Sequence, residues 1–264
     1  MLILDCENPA SALKSVAEIY GIATPAITAF LKAFDIEEYY EKHNPDDYGD
    51  RVLTTAFEKE CHVKPKPLDY VCWFHLTRTL PHNNFSEGIL PLPESLEIIW
   101  ETLFAVFKGS SHCKNLADLK SRDLISERYQ SRIKHQYLAG PYAVLVRDVA
   151  FRIKEIGFHD CLAMPETLTD ICDKYQEIYQ MSIFAPLQEK LIPCIVKFAS
   201  DRKTGRDCIE SAMYYLYVLE HNTRLTDSAN TCFDGQNEKI PLGQIKSVEF
   251  LNNYLSDKKY RNLV

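Results

Sequence analysis

The chain has 264 residues, 46% of them hydrophobic and 25% charged, and its formal net charge at neutral pH is −7. This composition is typical of globular proteins and excludes extended disorder, and the acidic balance excludes a protein that binds nucleic acid by general electrostatic attraction alone. The nine cysteines form no CxxC pair, and no apolar run reaches the roughly 18 residues that a membrane span needs, so we expect a cytoplasmic protein with free thiols and no membrane segment.

Residues 1–66 predict a helical N-terminal subdomain. Apolar side chains recur at helical spacing over 12–20, from Thr24 onward and over 50–61. The two prolines within 62–67 cannot continue a helix. We therefore place the boundary of an α+β domain there, and this domain covers 67–264.

The segment that follows carries the functional interpretation. The residues Tyr70-Val-Cys-Trp-Phe74 are β-branched or aromatic and predict a buried strand. That strand runs directly into His75 and Thr77, which share one face because alternate residues of a strand point the same way. A turn containing Pro81 leads to Gly88-Ile89-Leu90. A histidine and a hydroxyl at a strand end favour a polar site, although a hydrogen-bonded histidine without any ligand would give the same pattern.

The rest of the chain alternates between helical and strand patterns. Helices are predicted over 93–107, 116–138, 148–156, 165–179 and 206–221, and strands over 143–147, 191–198 and 240–250. Asp234-Gly235 is typical of a tight hairpin turn. The helix over 116–138 contains a series of basic residues between Arg122 and Lys134, which indicates either a solvated face or a phosphate-facing wall of a cleft.

Several kinds of site have no motif in this chain. The eight histidines and nine cysteines show no zinc-ligand spacing, so we predict no metal site. The chain contains neither the GxxxxGK[ST] loop nor the GxGxxG fingerprint of nucleotide-binding folds, and it lacks the GxSxG elbow of serine hydrolases.

Four features follow one another here: a strand, His75-x-Thr77, a polar turn and Gly88-Ile89-Leu90. Together with the closing stretch 240–248, this order resembles that of histidine-containing, toxin-like proteins of the ADP-ribosyltransferase fold. This resemblance implies that NAD is the substrate. It implies that His75 contacts the ribose of NAD, that Thr77 helps to hold the nicotinamide amide, and that Gly88 ends a helix lining the pocket. Arg78 is assigned to the same cofactor-binding group.

The resemblance also implies an aromatic side chain that stacks on the nicotinamide and a late catalytic glutamate. Tyr142, at the start of the second strand, is the candidate for stacking, with Tyr137 as the alternative. Glu220 and Glu238 are the candidates for the glutamate that stabilises the developing oxocarbenium ion.

The function that follows is that of an NAD-dependent ADP-ribosyltransferase-like protein, a toxin or effector of a toxin–antitoxin or antiviral defence system. Its acceptor would be a nucleic-acid base or a protein side chain, and an inhibitory protein partner would fit such a system. The fold expected is α+β, with the helical N-terminal segment packed on a small, split, mostly antiparallel sheet with helical insertions.

Two other functions use the same residues differently. The pair His75-Leu-Thr77-Arg78 and His221-Asn-Thr223-Arg224 matches the two His-x-Thr motifs of two-histidine phosphoesterases, which act on cyclic or 2′–5′ phosphates. In the second alternative the chain is a non-enzymatic interaction protein, an antitoxin or an adaptor, and His75 and Thr77 are structural.

Overall fold

The structure is a computed structural model that describes residues 1–122, 127–135 and 139–252. It is an α+β fold with a six-stranded, mostly antiparallel open sheet, and the fold class predicted from the sequence is confirmed. The strands are β1 (Ile3–Leu4), β2 (Tyr70–Thr79), β3 (Tyr142–Val144), β4 (Ile192–Ser200), β5 (Cys232–Asp234) and β6 (Ile245–Phe250).

The helices occur in three groups along the chain. The first group precedes β2 and comprises α1 (Pro9–Tyr20), α2 (Thr24–Ala33), α3 (Ile36–His43) and α4 (Gly49–Cys61). The second lies between β2 and β4 and comprises α5 (Leu92–Val106), α6 (His112–Ser121), α7 (Glu127–Lys134), α8 (Ile153–Ile156), α9 (Glu166–Tyr179) and α10 (Phe184–Lys190). The third is α11 (Arg206–Glu220). Among the described residues, no helix has both the length and the apolar character needed to cross a bilayer.

Strand β2 is the centre of the sheet, whose order is β5-β3-β2-β4-β6. One edge of β2 pairs with β4 from Val71 to Thr79. Its other edge is divided, because β1 pairs in parallel at Tyr70 and Val71 and β3 pairs at Phe74. The residues of β2 that follow Phe74 line a cavity. The division of this edge therefore leaves space at the end of the central strand.

The N-terminal helices pack on the sheet and share its core. Leu53 and Phe57 of α4 lie in the same buried cluster as Trp73 of β2. The buried carboxylate of Glu58 forms a salt bridge of 2.9 Å with Arg206 of α11. Because β1 and these helices complete the sheet's own core, the boundary predicted at residue 66 is not where the cores divide.

A second core is formed by the helices between β2 and β4. Its buried members come from α5, α6, α7, α9 and α10, with neighbouring loop residues, and include Trp100, Leu103, Tyr129, Ile171 and Tyr175. The chain therefore has two cores, one at the sheet and one in this helical insertion. We call the insertion, formed by α5, α6, α7, α9 and α10, the insertion layer. The sequence pattern showed most of these helices but not that they pack mainly on one another.

Several details differ from the sequence prediction. The prediction of a hairpin at Asp234-Gly235 is wrong, because β5 and β6 do not pair with each other: β5 pairs with β3, and β6 pairs with β4. After Gly235 the chain turns towards β3, because the N–H of Asn237 donates to the carbonyl oxygen of Gly140 at 2.9 Å. Strand β1 was not predicted, as two residues carry no periodic signal. The predicted helix over 116–138 corresponds to α6 and α7, and 123–126 and 136–138 lie outside the described residues.

Candidate functional site

A cavity of about 480 Å³ lies between the sheet and the insertion layer. Its walls are the end of β2, the start of β3, the loop before α5, and parts of α5, α7 and α9. His75, Thr77, Arg78, Gly88 and Tyr142 all line it. The structure therefore brings together the five residues that the sequence assigned to cofactor binding.

His75 is held in one tautomer by the sheet. Its Nδ1 lies 2.7 Å from the carbonyl oxygen of Tyr142. Because a carbonyl oxygen only accepts, Nδ1 carries the proton, and Nε2 of the neutral ring is an acceptor. Burial lowers the pKa of His75 from its ordinary value of 6.5, against the opposing effect of that hydrogen bond. The ring is therefore neutral at pH 7 and can accept a hydrogen bond from a ligand hydroxyl.

Thr77 and Tyr142 supply the neighbouring hydroxyl groups. Thr77 is two residues after His75 on β2 and therefore on the same face of the strand. Tyr142 is the first residue of β3, and the residue is 45% exposed. Desolvation, followed by the negative charges of Asp234 and Glu166, raises the pKa of Tyr142 to about 12. The phenol is therefore un-ionised at neutral pH, and Tyr142 lines the cavity.

Gly88 occupies a position that only glycine can fill. Its φ is +87°, and a Cβ added there would lie 2.0 Å from the carbonyl oxygen of Ile240. Ile89 and Ile240 form two N–H···O bonds with each other, each 2.9 Å long, which hold the loop against the stretch that follows β5. The prediction that a helix ends at Gly88 is wrong. The residues before Gly88 form a turn, which is closed by a 2.8 Å hydrogen bond from the Gly88 N–H to the carbonyl oxygen of Phe85.

Arg78 lines the cavity, but its guanidinium is used by the protein itself. The side chain is buried and donates to the main-chain carbonyls of Leu162 (2.7 Å), Gln188 and Leu191. Arg78 directly follows Thr77, so its side chain points to the opposite face of β2. Its assignment as a cofactor-binding residue stays a prediction, and the bonds that it makes give it a structural role in attaching β2 to the insertion layer.

The two glutamates predicted to be catalytic do not line the cavity. Glu220 ends α11 and forms a salt bridge of 3.5 Å with Lys32 of α2. Glu238 is exposed after β5 and pairs with Arg202 at 3.4 Å. Both are late glutamates in the chain, but the fold places Glu220 against α2 and Glu238 against Arg202, and neither reaches the cavity.

Two other glutamates line the cavity, Glu87 and Glu166. Glu87 directly precedes Gly88 and is exposed, and Glu166 is the first residue of α9. The position of Glu87 beside Gly88 could have identified it as a site residue from the sequence. Nothing in the sequence singled out Glu166. Among residues 1–122, 127–135 and 139–252, no three or more His, Cys, Asp or Glu side chains are grouped to hold a metal ion.

Within the part of the basic series whose side chains the structure describes, Arg132 reaches the cavity. It forms salt bridges of 2.7 Å with Asp170 and 3.0 Å with Glu166. Its charge is thus offset by two carboxylates, so it does not form an open phosphate-facing wall. Arg122 pairs with Asp118 at the surface, and Tyr137 lies outside the described residues.

The second His-x-Thr motif lies away from the cavity. His221 follows α11, and its Nε2 is 2.8 Å from the carbonyl oxygen of Leu31, while its ring packs on Tyr217 with centroids 4.3 Å apart. Neither His221 nor Thr223 lines the cavity. His75 and His221 therefore do not form the facing pair that two-histidine phosphoesterase chemistry requires.

A scan against models of protein families, a search of curated proteins and a search of solved structures each found no match to this chain. The function is therefore inferred from the cavity and the side chains that line it.

Proposed function

We propose that this protein binds NAD in the cavity and cleaves its nicotinamide–ribose bond to transfer ADP-ribose. The observation that supports this proposal is that His75, Thr77 and Tyr142, chosen from the sequence for roles in holding NAD, line one cavity. Its volume of about 480 Å³ lies within the range of roughly 300–1,000 Å³ typical of small-molecule sites.

The side chains suit the nicotinamide riboside half of NAD. The neutral ring of His75 offers Nε2 as an acceptor for a ribose hydroxyl, and the Thr77 hydroxyl can bond the carboxamide. The phenol ring of Tyr142 can stack on the nicotinamide. Oxidised nicotinamide is a cation, and an electron-rich phenol face together with carboxylates at the cavity favours it over the neutral reduced form.

The reaction needs a leaving group, a stabilised cation and an acceptor. As the bond between C1′ and the nicotinamide nitrogen breaks, its electron pair leaves with the nicotinamide, which becomes neutral, and C1′ becomes positively charged. The acceptor forms the new bond to C1′ and loses one proton. A carboxylate near C1′ stabilises the cation and receives that proton.

Glu87 is the carboxylate that we assign to this step, in place of Glu220 and Glu238. It lines the cavity, and no hydrogen bond or ion pair to its side chain occurs within the described part of the chain. The paired main chains of Ile89 and Ile240 fix the loop that carries it. Glu166, in contrast, is already paired with Arg132.

The proposal is tested by calorimetric titration of NAD and NADH into the wild type, His75→Ala and His82→Ala. His82 is the matched control, because it is exposed and does not line the cavity. We expect NAD to bind more tightly than NADH, and we expect His75→Ala alone to weaken binding by about tenfold or more. Equal binding by His75→Ala and wild type, or no binding of NAD to the wild type, would overturn the proposal.

Chemistry is then tested by measuring nicotinamide release from NAD in the presence of protein or nucleic-acid acceptors. We expect Glu87→Gln to lower the rate of release while leaving NAD affinity within about twofold, because the carboxylate acts mainly on the transition state. A variant as fast as the wild type would remove Glu87 from the mechanism without affecting the binding proposal.

A further inference from the structure

Arg132 has an unusual environment for a buried guanidinium. The residue is only 9% exposed and lines the cavity beside α9. Its Nη1 donates to Asp170 Oδ2 at 2.7 Å, which is a well-formed hydrogen bond. Its Nη2 lies 3.0 Å from Glu166 Oε2, yet within the described residues no acceptor meets hydrogen-bond geometry at this nitrogen. One side of the guanidinium is therefore satisfied and the other is held by charge alone.

The two carboxylates that face Arg132 differ in how firmly they are held. The Asp170 side chain is 13% exposed, whereas the Glu166 side chain is 37% exposed. Separating Asp170 from Arg132 would break a hydrogen-bonded pair between two largely buried charges, which is costly. Glu166 is the more exposed of the two carboxylates, so its pair with Arg132 costs less to separate than the pair with Asp170. Glu166 is thus the exchangeable partner.

We propose that Arg132 is the phosphate-binding residue of this cavity, and that Glu166 is an internal anion which a ligand phosphate displaces from it. This inference rests on the proposed function, in which NAD brings a pyrophosphate into the cavity. A phosphate presents several oxygens to a planar guanidinium and can satisfy Nη2 with the geometry that Glu166 does not provide.

The position of the Arg132–Glu166 pair fits the proposed binding of NAD in the cavity. Glu166 and Arg132 both act on the ionisation of the Tyr142 phenol, Glu166 raising its pKa and Arg132 lowering it, so the pair lies near that ring. Tyr142 and Arg132 line the same cavity, so we place the phosphate of the ligand at Arg132 when its nicotinamide stacks on Tyr142. Ligands without a phosphate would leave the pair intact and gain nothing from it.

The test compares ligands with and without phosphate on Glu166→Gln. Inorganic pyrophosphate, ADP-ribose and nicotinamide riboside are titrated into the wild type and the variant by calorimetry. We expect Glu166→Gln to tighten the binding of pyrophosphate and ADP-ribose by about tenfold and to leave nicotinamide riboside within about twofold, because only phosphate competes with the Glu166 carboxylate.

Two variants control for the general change of charge. Glu87→Gln removes the same charge from the cavity without touching Arg132, and Glu238→Gln removes it from an exposed site outside the cavity. We expect neither to tighten pyrophosphate binding by more than about twofold. An equal effect of Glu87→Gln and Glu166→Gln, or no effect of Glu166→Gln on pyrophosphate and ADP-ribose, would overturn the inference.

A paired variant tests Arg132 without leaving a buried carboxylate. Arg132→Gln combined with Asp170→Asn removes both charges of the buried pair, and we expect it to lose binding of pyrophosphate. If the paired variant does not fold, the Glu166→Gln comparison still decides. Failure of the wild type to bind NAD while Glu166→Gln tightens pyrophosphate would reject the proposed function and retain the anion site, whereas NAD binding with no effect of Glu166→Gln would do the reverse.

Discussion

The Nδ1 atom of His75 lies 2.7 Å from the main-chain carbonyl oxygen of Tyr142. This bond joins the central strand to its neighbour and fixes which nitrogen of the imidazole can accept from a ligand. It also links the residue proposed to bind ribose to the residue proposed to stack on nicotinamide.

The pKa of His75 makes stability depend on pH in a defined direction. Burial lowers the pKa in the folded protein, while the unfolded chain takes up a proton near pH 6.5. As the pH falls below 6.5, the unfolded state gains a proton that the folded state does not. The free energy of unfolding therefore falls by up to about 1.4 kcal/mol per pH unit. The fall ends when His75 of the folded protein is protonated as well.

Urea unfolding at pH 7.5 and pH 5.5 measures this contribution. In His75→Asn an amide nitrogen can still donate to the Tyr142 carbonyl, but the side chain does not titrate. We expect the wild type to lose more stability than His75→Asn on acidification. An identical loss in the two proteins would contradict the environment described for His75.

Replacement of Gly88 tests the close contact with Ile240. We expect Gly88→Ala to lower the free energy of unfolding by about 3 kcal/mol, because the new Cβ would meet a main-chain oxygen and φ is positive. Thermal and urea unfolding give the measurement. NAD affinity should fall as well, since the Ile89–Ile240 pairing fixes one wall of the cavity.

Gly109 provides the matched control for Gly88. Its φ is +79°, but a Cβ added there would have no atom within 4 Å. Gly109→Ala therefore carries the backbone strain without the clash, and we expect a cost of about 1 kcal/mol and unchanged NAD affinity. Equal effects at both glycines would show that the contact with Ile240 is unimportant.

Arg78 is predicted to stabilise the attachment of the insertion layer to β2. Arg78→Lys keeps the charge but replaces a planar donor, which reaches three carbonyls, by a single ammonium. We expect a loss of about 2 kcal/mol in the free energy of unfolding. The same exchange at exposed Arg122 should change stability by less than about 0.5 kcal/mol. Similar values for the two variants would refute the structural role of Arg78.

Tyr142 is predicted to act through its ring and not through its ionisation. Tyr142→Phe keeps the aromatic face and should bind NAD within about twofold of the wild type, whereas Tyr142→Ala should weaken binding by about tenfold. Tyr48→Ala is the control, because Tyr48 is 72% exposed and lies outside the cavity lining. Loss of affinity in Tyr142→Phe equal to that in Tyr142→Ala would instead assign the role to the hydroxyl.

The features of β2 that the sequence predicted correctly are those set by local pattern. Tyr70 to Phe74 form a buried strand because of their side chains, and the alternation of that strand places His75 and Thr77 on one face. The same alternation directs Arg78 to the other face, so its different role could have been read from the sequence.

The parts that were missed depend on contacts between distant segments. The pairing of Ile89 with Ile240 joins positions about 150 residues apart and has no local signal. Glu166 faces the cavity because the insertion layer folds over the end of β2. Glu220 and Glu238 were chosen by their order in the chain, and order does not determine which side of a sheet a residue reaches.

The most direct test of NAD binding by His75 is a ¹⁵N NMR measurement of its two ring nitrogens with and without NAD. We predict that the free protein at pH 7.5 shows a neutral ring with the proton on Nδ1, and that saturating NAD shifts the Nε2 resonance of His75 while the ring nitrogens of His221 do not move. A proton on Nε2 in the free protein, or a His75 spectrum that NAD does not change, would contradict the account.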